Sequence, residues 1–485
     1  MHFHFSKLVK LVSLTYVSQV VSMLLQFAQV KVLTSMMPVV DYGSWNQIQV
    51  AINFSIVILT FNLGHGFIRF ASSYNEADKF KTFSTVLLFQ VGVVLFIAAL
   101  FLPFYKAVTF FLIDKNSLLV YLLIALVSVL AISISNIQNY LLVRRMEFRM
   151  LVYGLFLLVS DVLLTVCGTL ISHDVIGALI GYASSKIFCF FVFSINSHIS
   201  YHHCSFQLGN LKKLLVFSLP LIFISISYWT IISCSRYFIK YYLGLDSVGL
   251  FSVANRLPMM IAIIFSLLST VFLSNVSRLF DSGSYERVGF WFSHVMRAFF
   301  LLGISGGVFL VIANKPFTLI VANSDYLFPD ITLVYLFVSL GSLFFGGIQI
   351  VSRLYDLEKQ VFKNSFNWIV AMLISVVSSV LLIPKLGLLG AAFALFSSFG
   401  VSFTLSLMLR PRRIDLNVPW GRLLVYAVFS FCAAYCFAVY IENSSCKSIW
   451  IGLLAVLIGV FILVLGLLLK IVDYREFLEL MRSKR

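Results

Sequence analysis

Charged residues are scarce in this chain of 485 residues. Asp, Glu, Lys and Arg together make up 11% of it, whereas 61% of the residues are hydrophobic and 50 are Phe. About a quarter of an ordinary soluble protein is charged and about half of it is apolar. A soluble core could not bury so much apolar surface, and so few charges could not cover it. The composition therefore excludes a soluble globular protein.

Cysteine is also sparse, and the seven cysteines show neither CxxC pairs nor a disulfide framework. The cluster that most resembles a metal site is HISYHHC, residues 198–204, but it lies in a predicted loop without further ligands. The sequence has no GxxxxGK[ST] phosphate loop, and no Ser or Cys stands in a recognisable triad. We predict no metal site, no cofactor and no enzymatic activity.

The hydrophobic residues form runs of about 20, the length at which a helix crosses a hydrocarbon core of about 30 Å. The first run is not a signal peptide, because it lacks a small-residue cleavage site. We predict an all-α polytopic membrane protein with about 14 transmembrane helices. The predicted spans are 11–34, 44–66, 82–104, 117–139, 150–171, 174–195, 213–240, 247–275, 289–313, 328–350, 364–383, 387–409, 423–441 and 449–470.

The basic residues are divided unequally between the two sides of these spans. If the N-terminus is cytoplasmic, 24 Lys and Arg residues fall in cytoplasmic segments and 6 in outer segments. Because cytoplasmic loops are enriched in Lys and Arg, both termini are predicted to be cytoplasmic. The net charge of +16 then reflects topology. Nucleic acid is not an expected partner, since no segment could form a soluble basic face.

Two pairs of segments indicate an internal duplication. IGALIGYASSK (176–186) aligns with LGAAFALFSSF (389–399) at an offset of 213, and residues 41–43 correspond to residues 246–249 at an offset near 205. Chance recurrence is the alternative, because small residues are common where membrane helices pack. Two matches in the same order favour duplication. The predicted parts are two pseudo-symmetric six-helix lobes, 1–205 and 206–410, and a two-helix hairpin with a basic tail, 411–485.

Charged side chains inside spans cost roughly 2.5–3.5 kcal/mol each on insertion scales, and they usually face a partner or a cavity. Asp161 and Lys186 lie at matched depth in adjacent antiparallel spans. The offset of 213 places Ile374 and Phe399 at these positions in the second lobe, so both charges are absent there together. We predict an intramembrane ion pair. A structural role and a role in gating or proton coupling are the two alternatives.

Three further cations lie inside predicted spans. Arg236 is about seven residues before an outer turn, or roughly 10 Å below the surface, and Arg256 lies at similar depth in the next span. An offset of 205 relates Arg236 to Lys31 in the first span. The alternative is that long basic side chains extend to the lipid headgroups. This interpretation suits Lys240, which lies one helical turn after Arg236. We predict that Lys31, Arg236 and Arg256 line a cleft.

The secondary candidates are Arg69 and His65, at the end of the second span. His65 stands between two glycines at a helix end, where a histidine is more often solvated than functional.

Four segments carry a family resemblance: VVDYGSWNQIQ (39–49), FNLGHGFIRFAS (61–72), the long stretch 217–257, and IPKLGLLGAAFALFSSF (383–399). Together they resemble bacterial polysaccharide transporters, the O-antigen and capsule-repeat flippases related to multidrug-and-toxin-extrusion exporters. The resemblance covers nearly the whole chain. It implies a V-shaped pair of lobes around a central cleft. It also implies a substrate, an oligosaccharide repeat on undecaprenyl diphosphate, flipped to the outer leaflet of the bacterial inner membrane.

The resemblance and the cations agree, because a diphosphate carries negative charge that lipid cannot solvate. The implied partners are the lipid-linked glycan and membrane lipids, with a polysaccharide polymerase and a chain-length regulator as candidate protein partners. Coupling to a proton or sodium gradient stays open, since Cys234 and Ser235 stand where family members carry an acidic residue. One alternative is a cation-coupled multidrug exporter, which would need acidic residues in the cleft. Another is a membrane scaffold in a glycan assembly complex.

Overall fold

The structure is a computed structural model that describes residues 2–197, 205–411, 413–442 and 448–469. Its side chains are described except at residues 2–16, 263–275, 278, 361, 442 and 448–449. The HISYHHC cluster, Arg412 and the basic residues of the tail from Lys470 onward lie outside the described residues. Within the described ranges the chain is helical, and no strand occurs.

Seventeen α-helices follow one another along the part of the chain that the structure describes. They are α1 (His2–Met36), α2 (Val39–Leu59), α3 (Leu63–Ala71), α4 (Glu76–Phe101), α5 (Tyr105–Ile113), α6 (Leu118–Val143), α7 (Glu147–Ser172), α8 (Val175–Asn196), α9 (Leu208–Leu243), α10 (Leu245–Asp281), α11 (Tyr285–Ile312), α12 (Asn314–Val321), α13 (Ile331–Leu357), α14 (Val361–Leu386), α15 (Leu388–Met408), α16 (Trp420–Glu442) and α17 (Ser448–Leu468).

Most of these helices are long and apolar enough to cross a membrane. Among the described residues, twelve helical segments meet that requirement, and α2 with α3 would add a thirteenth that is bent by 46°. The remaining predicted span, 247–275, falls within the 37 residues of α10. The chain is a multi-pass membrane protein, and the predicted all-α fold is confirmed.

The order of the helices repeats once along the chain. The first copy runs from α1 to α8 and the second from α9 to α15, with α10 taking the place of α2 and α3. Both copies contain a short helix, α5 with nine residues and α12 with eight. The sequence prediction missed these two helices because each is much shorter than the run of about 20 apolar residues that marks a membrane span. Their recurrence at the same place supports the predicted duplication.

Helix packing divides the chain into two compact units, Met1–Gly249 with Val321–Asn323, and Leu250–Ile320 with Ser324–Arg485. In the first unit α9 packs against α2, α3 and α4, and in the second unit α16 and α17 pack against α11. The predicted lobe boundaries, drawn from the duplication alone, stay a prediction. The packing units end after α9 instead of before it, and the C-terminal hairpin belongs to the second unit.

The glycines of the repeated segments lie where helices touch backbone to backbone. A Cβ on Gly177 would lie 2.5 Å from the carbonyl oxygen of Gly168, and a Cβ on Gly390 would overlap the carbonyl group of Leu382. Real Cβ atoms essentially never approach another atom within 3.0 Å. Gly177 and Gly390, which the offset of 213 relates, therefore serve the same close contact in the α7–α8 and α14–α15 hairpins.

Candidate functional site

The turn between α7 and α8 determines the depth of Asp161 and Lys186. His173 ends α7 in the left-handed conformation (φ 55°), and the Asp174 side chain caps α8 by accepting a hydrogen bond of 2.8 Å from the backbone N–H of Gly177. Asp161 lies 11 residues before the end of α7, and Lys186 lies 11 residues after the start of α8. Because the turn is so short, the two charges lie side by side.

The structure brings these two residues together as a buried ion pair. The Nζ atom of Lys186 lies 2.7 Å from Oδ2 of Asp161, and the Ser185 hydroxyl donates to Oδ1 of Asp161 at 2.7 Å. The Lys186 side chain is 6% exposed and the Asp161 side chain is 17% exposed. Lys186 also lies 4.6 Å from the centroid of the Tyr182 ring. Both charges thus have partners that compensate for the loss of water.

The ion pair is connected to α2 through an aromatic contact. The Tyr182 ring meets the Trp45 ring edge to face, with their centroids 5.7 Å apart. In the second copy, Phe399 lies 11 residues after the start of α15, is fully buried and packs on Phe345 at 5.0 Å. An apolar side chain therefore fills this position without loss of the hairpin, so the architecture alone does not require Lys186.

Two of the predicted cleft cations lie in the first compact unit. Lys31, on α1, donates a hydrogen bond to the carbonyl oxygen of Ala322. Arg236, half-buried on α9, donates to the carbonyl oxygen of Ile232 at 3.2 Å. Lys31 lies five residues before the end of α1 and Arg236 seven residues before the end of α9. Lys31 and Arg236 therefore occupy similar but not identical positions relative to the ends of the corresponding helices α1 and α9. Arg256 is half-buried on α10, in the second unit.

Lys240 does not reach towards lipid headgroups, and that interpretation of it is wrong. Its side chain is 10% exposed, and Nζ lies 2.8 Å from Oδ1 of Asp114. It also donates to the carbonyl oxygens of Phe110 and Phe111, at 2.9 Å and 2.6 Å. These carbonyls end α5, where a cation is favoured by the helix dipole. Lys240 therefore attaches α9 to α5 within the first unit.

The secondary candidates Arg69 and His65 lie on α3. Arg69 is exposed, and its guanidinium lies 4.8 Å from the centroid of the Phe217 ring of α9. His65 is exposed as well. Between α2 and α3, Phe61 and Asn62 both adopt the left-handed conformation, with φ 49° and 53°. This break falls inside the predicted span 44–66, which the sequence indicated as one continuous helix.

A buried polar network beside this break was missed by the sequence analysis. The Gln90 side chain donates to the carbonyl oxygen of Thr60 at 2.6 Å and accepts a hydrogen bond of 2.6 Å from the Asn136 side chain. Gln90 is 1% exposed and Asn136 4%. The available signal was an amide side chain inside each of two predicted spans, Gln90 in 82–104 and Asn136 in 117–139, since a polar group in a membrane needs a partner.

Comparisons with known proteins agree with the helical architecture. The sequence matches a family model described as "Polysaccharide biosynthesis protein" over residues 32–327. No curated protein matches the sequence significantly. The lipid II flippase MurJ, in an inward closed conformation, has a similar structure with a TM-score of 0.76 and 15% identity, over 97% of this chain and 100% of that chain.

Two more distant structures share the same arrangement of helices. An inward-facing multidrug resistance MATE family transporter of the MOP superfamily gives a TM-score of 0.65 at 12% identity, over 88% of this chain and 96% of its own. A MOP superfamily transporter from Pyrococcus furiosus gives 0.58 at 12% identity, over 88% and 95%. At such identities these likenesses show the fold. Because the family model covers more than half of its length, the chain belongs to the polysaccharide biosynthesis protein family.

Proposed function

We propose that the chain is a flippase that moves undecaprenyl-diphosphate-linked oligosaccharide repeats, of the O-antigen or capsule type, from the cytoplasmic to the outer leaflet of the bacterial inner membrane. The observation that carries the proposal is membership of the polysaccharide biosynthesis protein family, in a chain of membrane-spanning helices. The structural likeness to a lipid II flippase supports it. The loop charges support an orientation with both termini in the cytoplasm.

The cations inside the spans give the proposal its physical chemistry. A diphosphate group cannot cross hydrocarbon without compensation for its charge, and Lys31, Arg236 and Arg256 are basic residues placed inside predicted spans. Arginine offers a planar pair of donors that matches phosphate oxygens, while lysine acts as a point charge. In this proposal the lipid tail stays in the bilayer, the headgroup contacts these cations, and the protein alternates between access to the two sides.

A cation-coupled multidrug exporter would require an available acidic residue. Asp161 is the acidic residue that lies in the interior of a predicted span, and its carboxylate is engaged by Lys186 and Ser185. The intramembrane charges therefore favour an anionic substrate over a cationic drug.

Deletion of the gene tests the proposed function. We expect the deletion strain to lose long-chain surface polysaccharide on gels, to accumulate the lipid-linked repeat in its inner membrane, and to recover when the wild-type chain is supplied. Sensitivity to cationic drugs is the second measurement. Normal surface polysaccharide together with raised drug sensitivity would overturn the flippase and favour the exporter.

A further inference from the structure

A polar cavity of about 280 Å³ lies within the first compact unit, beside the break between α2 and α3. Residues of α2, α3, α4, α6 and α9 form its wall. Its position follows from the break, because the chain bends by 46° there and α3 no longer continues the line of α2. The neighbouring helices line the space beside the bend.

The break is maintained by hydrogen bonds and not by proline. The Asn62 side chain donates to the carbonyl oxygen of Leu221 at 3.0 Å and to the Ser225 hydroxyl at 2.8 Å. Both acceptors lie on α9, so they tie the break to that helix. Asparagine adopts the left-handed conformation of Asn62 more readily than most residues, whereas the bulky Phe61 beside it is an outlier in that conformation. A non-glycine residue in this conformation persists where its surroundings enforce it, and such residues cluster at functional sites.

One side of the cavity is a fixed array of amides. Gln90 and Asn136, which both line it, are joined by the 2.6 Å hydrogen bond described above, and Gln90 also binds the carbonyl oxygen of Thr60. Because each amide has a partner, its donor and acceptor atoms have defined directions. The array is therefore rigid before any ligand enters.

Other polar side chains on the wall are available to a ligand. Ser135, Asn139 and His65 line the cavity, and none of the three side chains hydrogen-bonds another described residue. Ser135 and His65 are exposed and Asn139 is half-buried. Gly64 makes room for the Asn139 amide, since a Cβ on Gly64 would lie 2.6 Å from its Nδ2 atom. The cavity thus presents an amide, a hydroxyl and an imidazole without partners.

The chemistry of this wall matches an uncharged polyhydroxylated ligand. No carboxylate, ammonium or guanidinium group is among the lining residues that the structure describes, so neither a cationic drug nor a diphosphate would find a counter-charge. Amides and hydroxyls both donate and accept, which is what sugar hydroxyls require. The volume is near the lower limit of small-molecule pockets, about 300 Å³. It suits one sugar ring and is too small for an oligosaccharide.

The second copy of the fold shows that packing does not require the polar side chain of Gln90. Helix α10, which corresponds to α2 and α3, continues without a break. The offset between α4 and α11 is 209 at their starts and 211 at their ends, which places Gln90 opposite Phe299, Phe300 and Leu301. The same fold therefore accepts an apolar residue at the position of Gln90, so packing alone does not explain this buried amide.

We propose that this cavity binds one neutral sugar residue of the transported glycan, separately from the cations assigned to the diphosphate. The inference rests on the proposed function. In the predicted orientation the cavity lies towards the cytoplasmic ends of α2 and α6, because Thr60 follows the last residue of α2 and Asn139 lies four residues before the end of α6. This is the side from which a lipid-linked repeat would enter.

Asn139→Leu tests the proposal, with Gln138→Leu as its matched control. Gln138 is the neighbouring amide on the same helix, is half-buried and does not line the cavity. In a deletion strain, at equal protein levels, we expect Asn139→Leu to restore long-chain polysaccharide about tenfold less well than wild type, because a sugar hydroxyl loses its partner. Gln138→Leu should behave as wild type. Equal activity of the two variants would overturn the sugar site and leave the flippase intact.

Protection of a cysteine at the rim gives a readout independent of transport. The variants are Ser135→Cys and, as control, Ser184→Cys on α8, each made in a chain whose native cysteines are replaced. Both positions are exposed. In membranes that contain the lipid-linked repeat, labelling of Ser135→Cys by an uncharged maleimide should fall severalfold relative to membranes that lack it, and Ser184→Cys should not change. Equal labelling of Ser135→Cys in both membranes would contradict the proposal. Failure of the wild-type chain to restore polysaccharide would refute the flippase itself.

Discussion

Lys186 is buried and Lys240 half-buried, and both have protein partners, but the sequence allowed only the partner of Lys186 to be predicted. The pairing of Lys186 with Asp161 could be predicted because a short turn and equal spacing put the two residues side by side. The acceptors of Lys240 could not be predicted, since two of them are the carbonyl groups that end α5, a helix that the hydrophobic pattern did not reveal. The ion pair was predictable where one short turn fixes both side chains at equal depth, and not where the partners are backbone carbonyls or a carboxylate 126 positions away in sequence.

At the residue scale, the ion pair can be tested by a double-mutant experiment. Asp161→Asn or Lys186→Met alone leaves an unpaired buried charge, which should destabilise the protein by roughly 3–5 kcal/mol. The combination removes both charges and leaves Ser185 a hydrogen-bond acceptor, so most of the stability should return. Thermal unfolding in detergent measures this effect. A double mutant less stable than either single mutant would show that the two residues are not partners.

Activity of the same double mutant separates the two predicted roles of the pair. If the pair is structural, a stable double mutant should restore surface polysaccharide in the deletion strain. A stable but inactive double mutant would assign the pair to gating or coupling.

The assignment of Arg236 and Arg256 to the diphosphate makes a graded prediction. Arg236→Lys keeps the charge and should retain partial transport, whereas Arg236→Ala should lose roughly tenfold or more, equivalent to about 1.4 kcal/mol of interaction. Arg256→Ala should behave similarly. Lys385→Ala is the control, because Lys385 is exposed at the end of α14. Full transport by a variant with both arginines changed to alanine would contradict the assignment.

At the scale of the helices, the sequence predicted where hydrophobic segments lie but not where they bend. The predicted span 44–66 contains the break at Phe61 and Asn62, and no proline marks it. The bend depends on contacts of Asn62 with α9, residues more than 150 positions away in sequence. Contacts at such separation cannot be read from periodicity. The helix contacts of Gly177 and Gly390, in contrast, were visible as a repeated small-residue pattern.

The close contact of α7 and α8 predicts a strong effect of a single methyl group. A Cβ on Gly181 would overlap the carbonyl oxygen of Leu164, so Gly181→Ala should force the two helices apart and cost roughly 1–3 kcal/mol. Gly92→Ala on α4 is the control, because nothing lies within 4 Å of its Cβ position. Thermal unfolding of the purified variants measures the difference. Equal melting temperatures would refute the close contact.

At the scale of the whole molecule, the duplication was the most useful prediction. Two short sequence matches indicated it, and the recurrence of seven corresponding parts, including the short helices α5 and α12, supports it. The division into packing units was not predictable from the repeat, because α9 begins the second copy but packs in the first unit. The sequence repeat shows where the duplicated segments begin and end, whereas the packing units show which helices bury their surfaces against one another.

The orientation of the chain in the membrane follows from the loop charges and can be measured directly. In a chain whose native cysteines are replaced, cysteines at Lys106 and Lys385 should react with an impermeant thiol reagent in intact cells. Cysteines at Arg149 and Arg413 should react only after permeabilisation. All four positions are exposed. Reaction of the second pair from outside would contradict the predicted topology.

Transport of a lipid-linked glycan by the purified protein tests the central claim most directly. Liposomes are prepared with the undecaprenyl-diphosphate-linked repeat in both leaflets, with and without the protein, and an impermeant reagent that oxidises or cleaves the sugar is added outside. Without the protein, about half of the lipid-linked sugar should be protected. With the protein, the account predicts that nearly all of it becomes accessible, and that the variant with Arg236→Ala and Arg256→Ala restores the protection. Persistent protection of half the sugar in liposomes that contain folded wild-type protein would contradict the flippase.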